Sequence, residues 1–291
     1  MNMSLPSQSV RYVGAVTDTD RWRNFRHRSD DVFICTPWKS GTTWTQAIVC
    51  MLVLGKADHG EKPGVISPWV DANFAPIEDY LEMVEAQSHR RFLKTHSPLD
   101  GLPYYPECTY LVVFRDPRDM FFSMLNHRDN LTNEELAFAT IPSGEDAFQK
   151  WLDGAFDPDN FDLQSLEWLC HFLKTYWEYR DLPNIHLYHY ADMKRDLRGN
   201  IQRVADTLGI AITAAQLDEM TEAATFESMQ KKGDQFAPMA GLDAWKSENG
   251  FFSSGRNAQW KGKLTEEDLA AFDRRIREFL TQEQVDWLVR G

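Results

Sequence analysis

The stretch that decides the fold is VFICTPWKSGTTWTQAIVCMLVL, residues 32–54. It begins with a short apolar run, Val32 to Cys35, which predicts a strand buried on both faces. A polar loop follows at residues 36–43, and an apolar run long enough to form a helix then ends at Gly55. The stretch therefore predicts a strand, a tight loop and a helix, as in an α/β fold.

The loop, TPWKSGTT, predicts a site for an anion. Its N–H groups and the start of the helix point the same way, the helix dipole favours negative charge there, and Lys39 adds a full positive charge. A plain turn capped by Ser40 or Thr42 is the alternative, but a cap needs one hydroxyl group and this loop has four. The nucleoside triphosphate loop has its lysine after the last glycine, whereas Lys39 precedes Gly41, so we expect a different ligand.

The run KSGTTW, residues 39–44, resembles the 5′-phosphosulfate loop of the sulfotransferases that use 3′-phosphoadenosine 5′-phosphosulfate (PAPS), especially the cytosolic type. Trp38 stands where that family usually has Tyr or Phe. Further segments resemble motifs of the family in the same order: KTHSPL at 94–99, VFRDPRDMFFS at 113–123, YADMK at 190–194, TFESM at 225–229 and the end of FFSSGRNAQWK at 251–261. The resemblance covers most of the chain, from about residue 32 to residue 261.

The resemblance implies roles for particular residues. Lys39 and Lys94 would stabilise the leaving group, and His96 would be the general base. His96 also differs from the other seven histidines in lying where a strand leaves the sheet, which is where ligands bind in open α/β sheets. The residues implied to bind the donor are Lys39, Ser40, Gly41, Thr42, Thr43, Trp44, Arg115, Ser123, Tyr190, Phe226, Met229 and Gly255.

The segment before Trp260 departs from the family pattern. Ser253-Ser254 stands in place of a basic pair expected to hold the 3′-phosphate, and Ala258 replaces a second glycine. Our hypothesis is that Arg256 binds the donor and supplies the missing charge. The short dimerisation motif of many members of the family that this chain resembles is also broken, since Glu266 and Ala270 occupy two of its positions. The resemblance therefore does not imply a dimer, and the sequence leaves the oligomeric state open.

Composition limits the partners and the location. The chain has 291 residues and a net charge of −13, which argues against nucleic acid or an anionic membrane and requires local positive charge for an anionic donor. Four widely spaced cysteines predict free thiols in a reducing compartment. The N-terminus lacks the apolar region of a signal peptide and no run is long enough to span a membrane, so we expect a cytoplasmic protein.

The predicted fold is a three-layer αβα sandwich with a mainly parallel central sheet, a P-loop-like nucleotide-binding fold. Residues 1–31 are expected to be an N-terminal extension packed on a single domain at 32–291, with 231–262 as a lid or donor-binding loop. Within the extension, residues 21–28 predict a solvated amphipathic turn. Strands are expected at 32–35, 91–96, 109–114 and 186–190, and helices at 42–54, 76–88, 145–153, 163–180, 197–208, 214–224, from Pro117 and after Thr265.

The function implied by the resemblance is in-line transfer of a sulfuryl group from PAPS to a hydroxyl or amine of a small apolar acceptor, an alcohol or a phenol. The products are PAP and a sulfate ester, and no metal is required. Within this class, a carbohydrate or lipid-head acceptor is an alternative, which would need a more polar and basic lining. Two alternatives from other classes stay open: a non-catalytic PAP-binding protein, which the change at Ser253-Ser254 would allow, and an atypical P-loop nucleotide kinase, against which the position of Lys39 counts.

Overall fold

Four parallel strands form the central sheet in the order β2–β1–β3–β4: β1 is Val32–Cys35, β2 is Phe92–Thr95, β3 is Thr109–Phe114 and β4 is Ile185–His189. The computed structural model describes residues 4–133, 141–238, 241, 243–252 and 254–290. Cys35 pairs with Thr95 at the carboxyl ends of β1 and β2, so the loops that follow these strands begin side by side.

Helices cover both faces of the sheet. One face, with Phe33 and Tyr110, packs against the helices at Leu166–Trp177 and Glu266–Phe279, and the other, with Ile34 and Leu111, packs against those at Thr42–Leu54 and Leu197–Thr207. The predicted three-layer αβα architecture is therefore confirmed. The helices are α1 Thr42–Leu54, α2 Pro63–Ile66, α3 Ile77–Glu85, α4 Pro117–Asp129, α5 Ala147–Asp153, α6 Leu166–Trp177, α7 Tyr190–Arg195, α8 Leu197–Thr207, α9 Ala214–Ala223, α10 Phe226–Lys231, α11 Gly233–Phe236, α12 Glu266–Phe279 and α13 Gln282–Leu288.

Local signals placed several helix ends correctly. Asp116 is the N-cap of α4 and accepts a hydrogen bond from the N–H of Arg118, with Pro117 at the first helical position. Thr265 and Asp268 form the capping box of α12. Gly55 ends α1 in the left-handed conformation, with φ of 72°.

Residues before β1 pack into the main core. Tyr12, Trp22 and Phe25 are buried in the same cluster as the sheet residue Phe33, so the expected solvated turn at 21–28 is wrong. The Arg21 guanidinium also contacts protein, since it donates hydrogen bonds to the carbonyl oxygens of Val70 and Ala75. The segment 21–28 is amphipathic, and its apolar side, with Trp22 and Phe25, faces the core.

Other predictions differ in detail. Strand β4 ends at His189, and Tyr190 begins α7. The segment 231–262, predicted as loop, contains α11 and a 3-10 turn at Asn249–Phe251. Helix α2 lies in the stretch between α1 and α3 that carried only loop signals. None of the helices in the described residues is both long and apolar enough to cross a membrane.

Candidate functional site

A cavity of about 1130 Å³ lies beyond the carboxyl ends of the strands. Each strand is followed closely by a residue that lines it: Lys39 after β1, His96 after β2, Arg115 after β3 and Tyr190 after β4. The cavity brings together these predicted site residues: Lys39, Gly41, Thr42, Thr43, Trp44, Lys94, His96, Arg115, Ser123, Tyr190, Phe226, Met229, Gly255 and Arg256. Ser40 differs, because its buried hydroxyl group donates to Met120 Sδ at 3.4 Å.

The loop after β1 turns tightly into α1. Lys39 has φ of 64° and the N-cap Gly41 has φ of 105°, a conformation that favours glycine. A Cβ atom at Gly41 would lie 3.0 Å from the Tyr190 ring, so the ring and the loop backbone are in close contact. No side chain of the described residues caps α1 at Gly41, and its first-turn N–H groups therefore remain available for an anion.

Positive charge is concentrated around this cavity although the chain is acidic. Six of the described lining residues are Lys or Arg and one is Glu. This local excess of positive charge is what an anionic donor requires in a chain whose net charge is −13. Burial, followed by the nearby Arg115 guanidinium, lowers the pKa of Lys39 to about 7. Burial also lowers the pKa of Lys94 to about 8, against the opposing effect of Asp71. An anionic ligand would restore the charge on both lysines.

His96 is held in one tautomer. Its Nδ1 lies 2.7 Å from the carbonyl oxygen of Thr36, which only accepts, so Nδ1 carries the proton and Nε2 carries the lone pair. Trp38 stacks on the ring at 4.3 Å and Trp69 meets it edge-on at 4.9 Å. Burial, then the charge of Lys94, lowers the pKa of His96 well below its usual value, so the ring is neutral at pH 7 and able to accept a proton.

His127 belongs to this cluster and was missed from the sequence. Its Nδ1 lies 3.2 Å from Lys39 Nζ, and it follows Ser123 by one helical turn on α4. Burial lowers the pKa of His127 well below its usual value, with Lys39, Lys94 and His96 contributing. The spacing of four residues from Ser123 was the signal that could have identified it.

Aromatic side chains line the far end of the cavity. The Trp44 indole meets Tyr190 edge-on at 5.2 Å and donates to the carbonyl oxygen of Ala224 at 2.8 Å. Phe226 lies directly against Gly255, whose φ of 56° and missing Cβ allow the contact. Met229 packs behind Trp44 and is almost fully buried, so it supports this wall more than it forms its surface.

Backbone contacts hold the segment near residue 256 against the cavity. Arg115 Nη2 donates to the carbonyl oxygen of Arg256 at 2.7 Å, and Asp119 accepts from the N–H groups of Ala258 and Gln259 at 2.9 and 2.6 Å. Ala258 adopts a left-handed φ of 57°, a conformation that glycine adopts more readily than alanine. The Arg256 side chain itself is exposed, and Ser253 lies outside the described residues.

Lys194 is a second residue that sequence reasoning missed. It lines the cavity and donates a hydrogen bond to the carbonyl oxygen of Gly255. Burial, then the charge of Arg115, lowers the pKa of Lys194. It lies inside the quoted motif YADMK, so the signal was present.

Comparison with known proteins identifies the family of this chain. The family model of the sulfotransferase domain matches residues 29–284. The chain belongs to the sulfotransferase domain family. A glycolipid sulfotransferase of Mycobacterium bovis is 33% identical over 100% of this chain and 98% of its own, and an amine sulfotransferase of Oryctolagus cuniculus is 28% identical over 88% and 82%.

A solved structure shares the fold of this sulfotransferase. Retinol dehydratase in a complex with retinol and PAP has a TM-score of 0.71 at 22% identity, covering 91% of this chain and 87% of that chain. The predicted family, fold class and enzyme class are thus confirmed. The ligands of that structure are retinol and PAP.

Proposed function

We propose that this sulfotransferase moves a sulfuryl group in line from PAPS to the hydroxyl group of a small apolar acceptor, with His96 as the general base. The observation that carries the proposal is the 2.7 Å hydrogen bond from His96 to the Thr36 carbonyl oxygen, which leaves Nε2 as a proton acceptor in the cavity of Lys39 and Lys94. When bound, PAPS supplies the activated sulfuryl group.

The residues of the cavity fit an adenine nucleotide with phosphate groups at both ends. The uncapped start of α1 and Lys39 would hold the 5′-phosphosulfate, with Ser40, Thr42 and Thr43 in the same loop. Arg115 and Ser123 would hold the 3′-phosphate. The adenine would lie among Trp44, Tyr190, Phe226 and Met229, next to Gly255 and Arg256.

Electrostatics and positioning would account for most of the rate. Lys39 and Lys94 stabilise the negative charge that builds up as the 5′-phosphate leaves, and they do so in a cavity where burial strengthens each interaction. His96 Nε2 removes the acceptor proton as its oxygen attacks. His96 must be neutral for this step, and its lowered pKa keeps it so.

The acceptor side of the cavity is aromatic. Trp38 and Trp69 contact His96, and Tyr80 lines the same cavity, which suits an alcohol or phenol with an apolar body. The similarity to a glycolipid sulfotransferase supports a hydroxyl acceptor, and the similarity to an amine sulfotransferase supports an amine as the other possible acceptor group.

All four cysteines are buried free thiols, which supports a cytoplasmic location.

Thermal unfolding with PAP, compared with ATP plus Mg²⁺, tests the donor. A ligand at about 100 times its Kd adds roughly 2.7 kcal/mol to the free energy of unfolding, so PAP should raise Tm by several degrees. We expect no comparable rise with ATP and Mg²⁺. A rise with ATP alone would contradict the proposal and favour a kinase.

Replacement of His96 tests the base and separates an enzyme from a mere PAP-binding protein. His96→Ala should lower kcat by about 100-fold or more, because the proposed proton acceptor is removed, and should leave PAP affinity unchanged. The partly exposed His27, which pairs with Glu107, offers the matched control His27→Ala. Normal turnover by His96→Ala with PAPS would refute the assignment.

A further inference from the structure

Asp71 is a buried carboxylate that the proposed chemistry does not use. Its side chain is 0% exposed, and it is not among the residues that line the cavity. Burial raises the pKa of Asp71, because the charged form has lost its water. Carboxylates are buried in proteins where they are hydrogen-bonded or paired, so the partners of Asp71 indicate what it does.

One oxygen of this carboxylate holds the residues on both sides of His96. Asp71 Oδ2 accepts from Thr95 Oγ1 at 2.7 Å and from Ser97 Oγ at 2.6 Å. Thr95 Oγ1 in turn accepts from the Ser97 N–H at 3.1 Å, which closes a turn around His96. All four residues are 3% exposed or less, so these hydrogen bonds lie away from bulk water, where they are stronger.

The turn lies at the point where the sheet ends. Strand β2 ends at Thr95, so strand pairing no longer fixes the backbone of His96. On the far side of the turn, the Tyr176 hydroxyl group donates to the carbonyl oxygen of Ser97 at 3.1 Å. Asp71 and Tyr176 therefore hold the backbone from which the His96 ring projects.

The backbone of Asp71 is itself anchored. Its carbonyl oxygen accepts from the Asp18 N–H at 2.8 Å, and the N–H of the next residue, Ala72, donates to the carbonyl oxygen of Trp69 at 3.1 Å. Trp69 also forms a parallel bridge with Lys94 of β2. The carboxylate is thus held in place independently of the turn, as a group that positions another residue must be.

The position of His96 matters because its ring has two partners. Nδ1 donates to the Thr36 carbonyl oxygen at 2.7 Å, which directs Nε2 to the proposed acceptor oxygen. Trp38 stacks on the ring and sets its plane, whereas the turn at residues 95–97 sets the position of its Cα atom. A displacement of about 1 Å can lower a catalysed rate by about 100-fold.

We propose that Asp71 is a positioning residue for His96: by holding the hydroxyl groups of Thr95 and Ser97, it fixes the turn that places the imidazole ring for proton removal. Asp71 touches neither donor nor acceptor and acts only through His96. This inference rests on the proposed role of His96 as the general base.

Asp71→Ala tests the inference, with PAPS and phenol as the substrates. The variant should lower kcat by about tenfold or more, while the KM for phenol and the PAP affinity change by less than about twofold, because the cavity lining is unaltered. Asp71→Asn keeps an oxygen atom for both hydroxyl groups, so its kcat should exceed that of Asp71→Ala by about threefold or more. Unchanged kcat in Asp71→Ala, or no recovery in Asp71→Asn, would overturn the inference.

Asp162 provides a matched control for the loss of a buried carboxylate. It is 2% exposed and accepts from the Thr17 hydroxyl group and the Val16 N–H, both at 2.8 Å. Asp162→Ala should lower Tm, as Asp71→Ala should, but leave the kcat of the folded enzyme unchanged. Equal falls in kcat for the two variants would show that kcat follows core packing, which contradicts the inference.

A double-mutant cycle shows whether Asp71 acts through His96. In the His96→Ala background, Asp71→Ala should lower kcat no further, because the group that it positions is gone. A further fall by the same factor as in the native background would mean that Asp71 acts elsewhere, and the inference would be wrong. Ser97→Ala breaks one hydrogen bond to Asp71 and takes the place of Asp71→Ala if that variant does not fold, with an expected loss of about threefold.

Exchange of one imidazole proton gives a readout that does not require turnover. The Nδ1–H signal of His96, identified in nuclear magnetic resonance spectra by its absence in His96→Ala, should be protected by the hydrogen bond to Thr36. Asp71→Ala, or Ser97→Ala in its place, should speed its exchange with solvent by about tenfold or more, and equal rates would overturn the inference. Absence of turnover by the native protein would contradict the proposed function alone, and the exchange rates would still decide the role of Asp71.

Discussion

Lys39 and His96 show how burial acts on single residues. Both are bases that lose charge in a dry cavity, and the pKa of each is lowered. For His96 the neutral form is the useful one, because a base must have its lone pair free. For Lys39 the charged form is useful, and we expect the anionic donor to restore it.

Binding of PAP should therefore take up protons. Lys39, with a pKa of about 7, is mostly neutral at pH 8 without ligand, and nearby phosphate raises that pKa in the complex. Because the complex binds more protons than the free protein, PAP affinity is highest below pH 7 and falls as pH rises. Calorimetry at pH 8 in two buffers of different ionisation enthalpy should show uptake of roughly one to one and a half protons, from Lys39 and in smaller part from Lys94.

The variant Lys39→Arg is the control, since a guanidinium remains charged at this pH. We expect the uptake to fall by nearly one proton, with a smaller part remaining from Lys94, whose pKa is about 8. The phosphate groups of PAP, with a pKa of about 6, contribute little to the proton uptake at pH 8. Proton release by the native protein would contradict the linkage.

At the scale of elements, the part of the segment 231–262 that lies near residue 256 is held by hydrogen bonds to its backbone. Arg115 and Lys194 donate to carbonyl oxygens of Arg256 and Gly255, and Asp119 accepts from two N–H groups that follow. Such contacts do not depend on the side chains of the segment. The loss of the family's basic pair is therefore compatible with the segment's position over the cavity.

The hypothesis that Arg256 supplies charge to the 3′-phosphate belongs at this scale. A charge-assisted hydrogen bond contributes about 1.5–3 kcal/mol, so Arg256→Ala should weaken PAP binding by roughly tenfold or more in titration calorimetry. AMP lacks the 3′-phosphate, and its affinity should not change.

Two further variants make this test selective. Arg198 forms an exposed ion pair with Asp218, and Arg198→Ala should leave PAP affinity unchanged. Unaltered PAP binding by Arg256→Ala would show the hypothesis to be wrong. A loss in Lys194→Ala alone would then assign the compensating charge to Lys194, which lines the same cavity.

Across the whole molecule, the N-terminal residues and the sheet share one core. Trp22 is 1% exposed and packs on Phe33, and the buried Arg91 guanidinium binds both oxygens of Asp31 at 2.7 and 2.6 Å. These contacts join the predicted extension to strands β1 and β2. We therefore propose that residues 4–31 unfold together with the rest of the domain.

Trp22→Ala tests that proposal. The cavity left by a buried tryptophan should lower the free energy of unfolding by about 3–5 kcal/mol, within a single urea transition followed by circular dichroism. Leu5→Ala, at a position 56% exposed, should change it by less than about 0.5 kcal/mol. An unchanged midpoint for Trp22→Ala would mean that the extension folds independently.

Much of the fold could be predicted because its signals act over a few residues. The bounds of β1 and β3, the cap at Asp116 and the capping box at Thr265 rest on neighbours within about five positions. The short helices α2 and α11 could not be predicted, because four residues carry little propensity and tertiary packing stabilises them.

The sequence by itself determined the family, the strand–loop–helix unit at residues 32–54 and the residues at the ends of the strands, since each is encoded in a contiguous run. Tertiary structure decided what meets these residues. His127 reaches Lys39 across 88 positions, Lys194 reaches Gly255 across 61, and Asp119 reaches Gln259 across 140. Such contacts depend on how helices pack on the sheet, which no local pattern specifies.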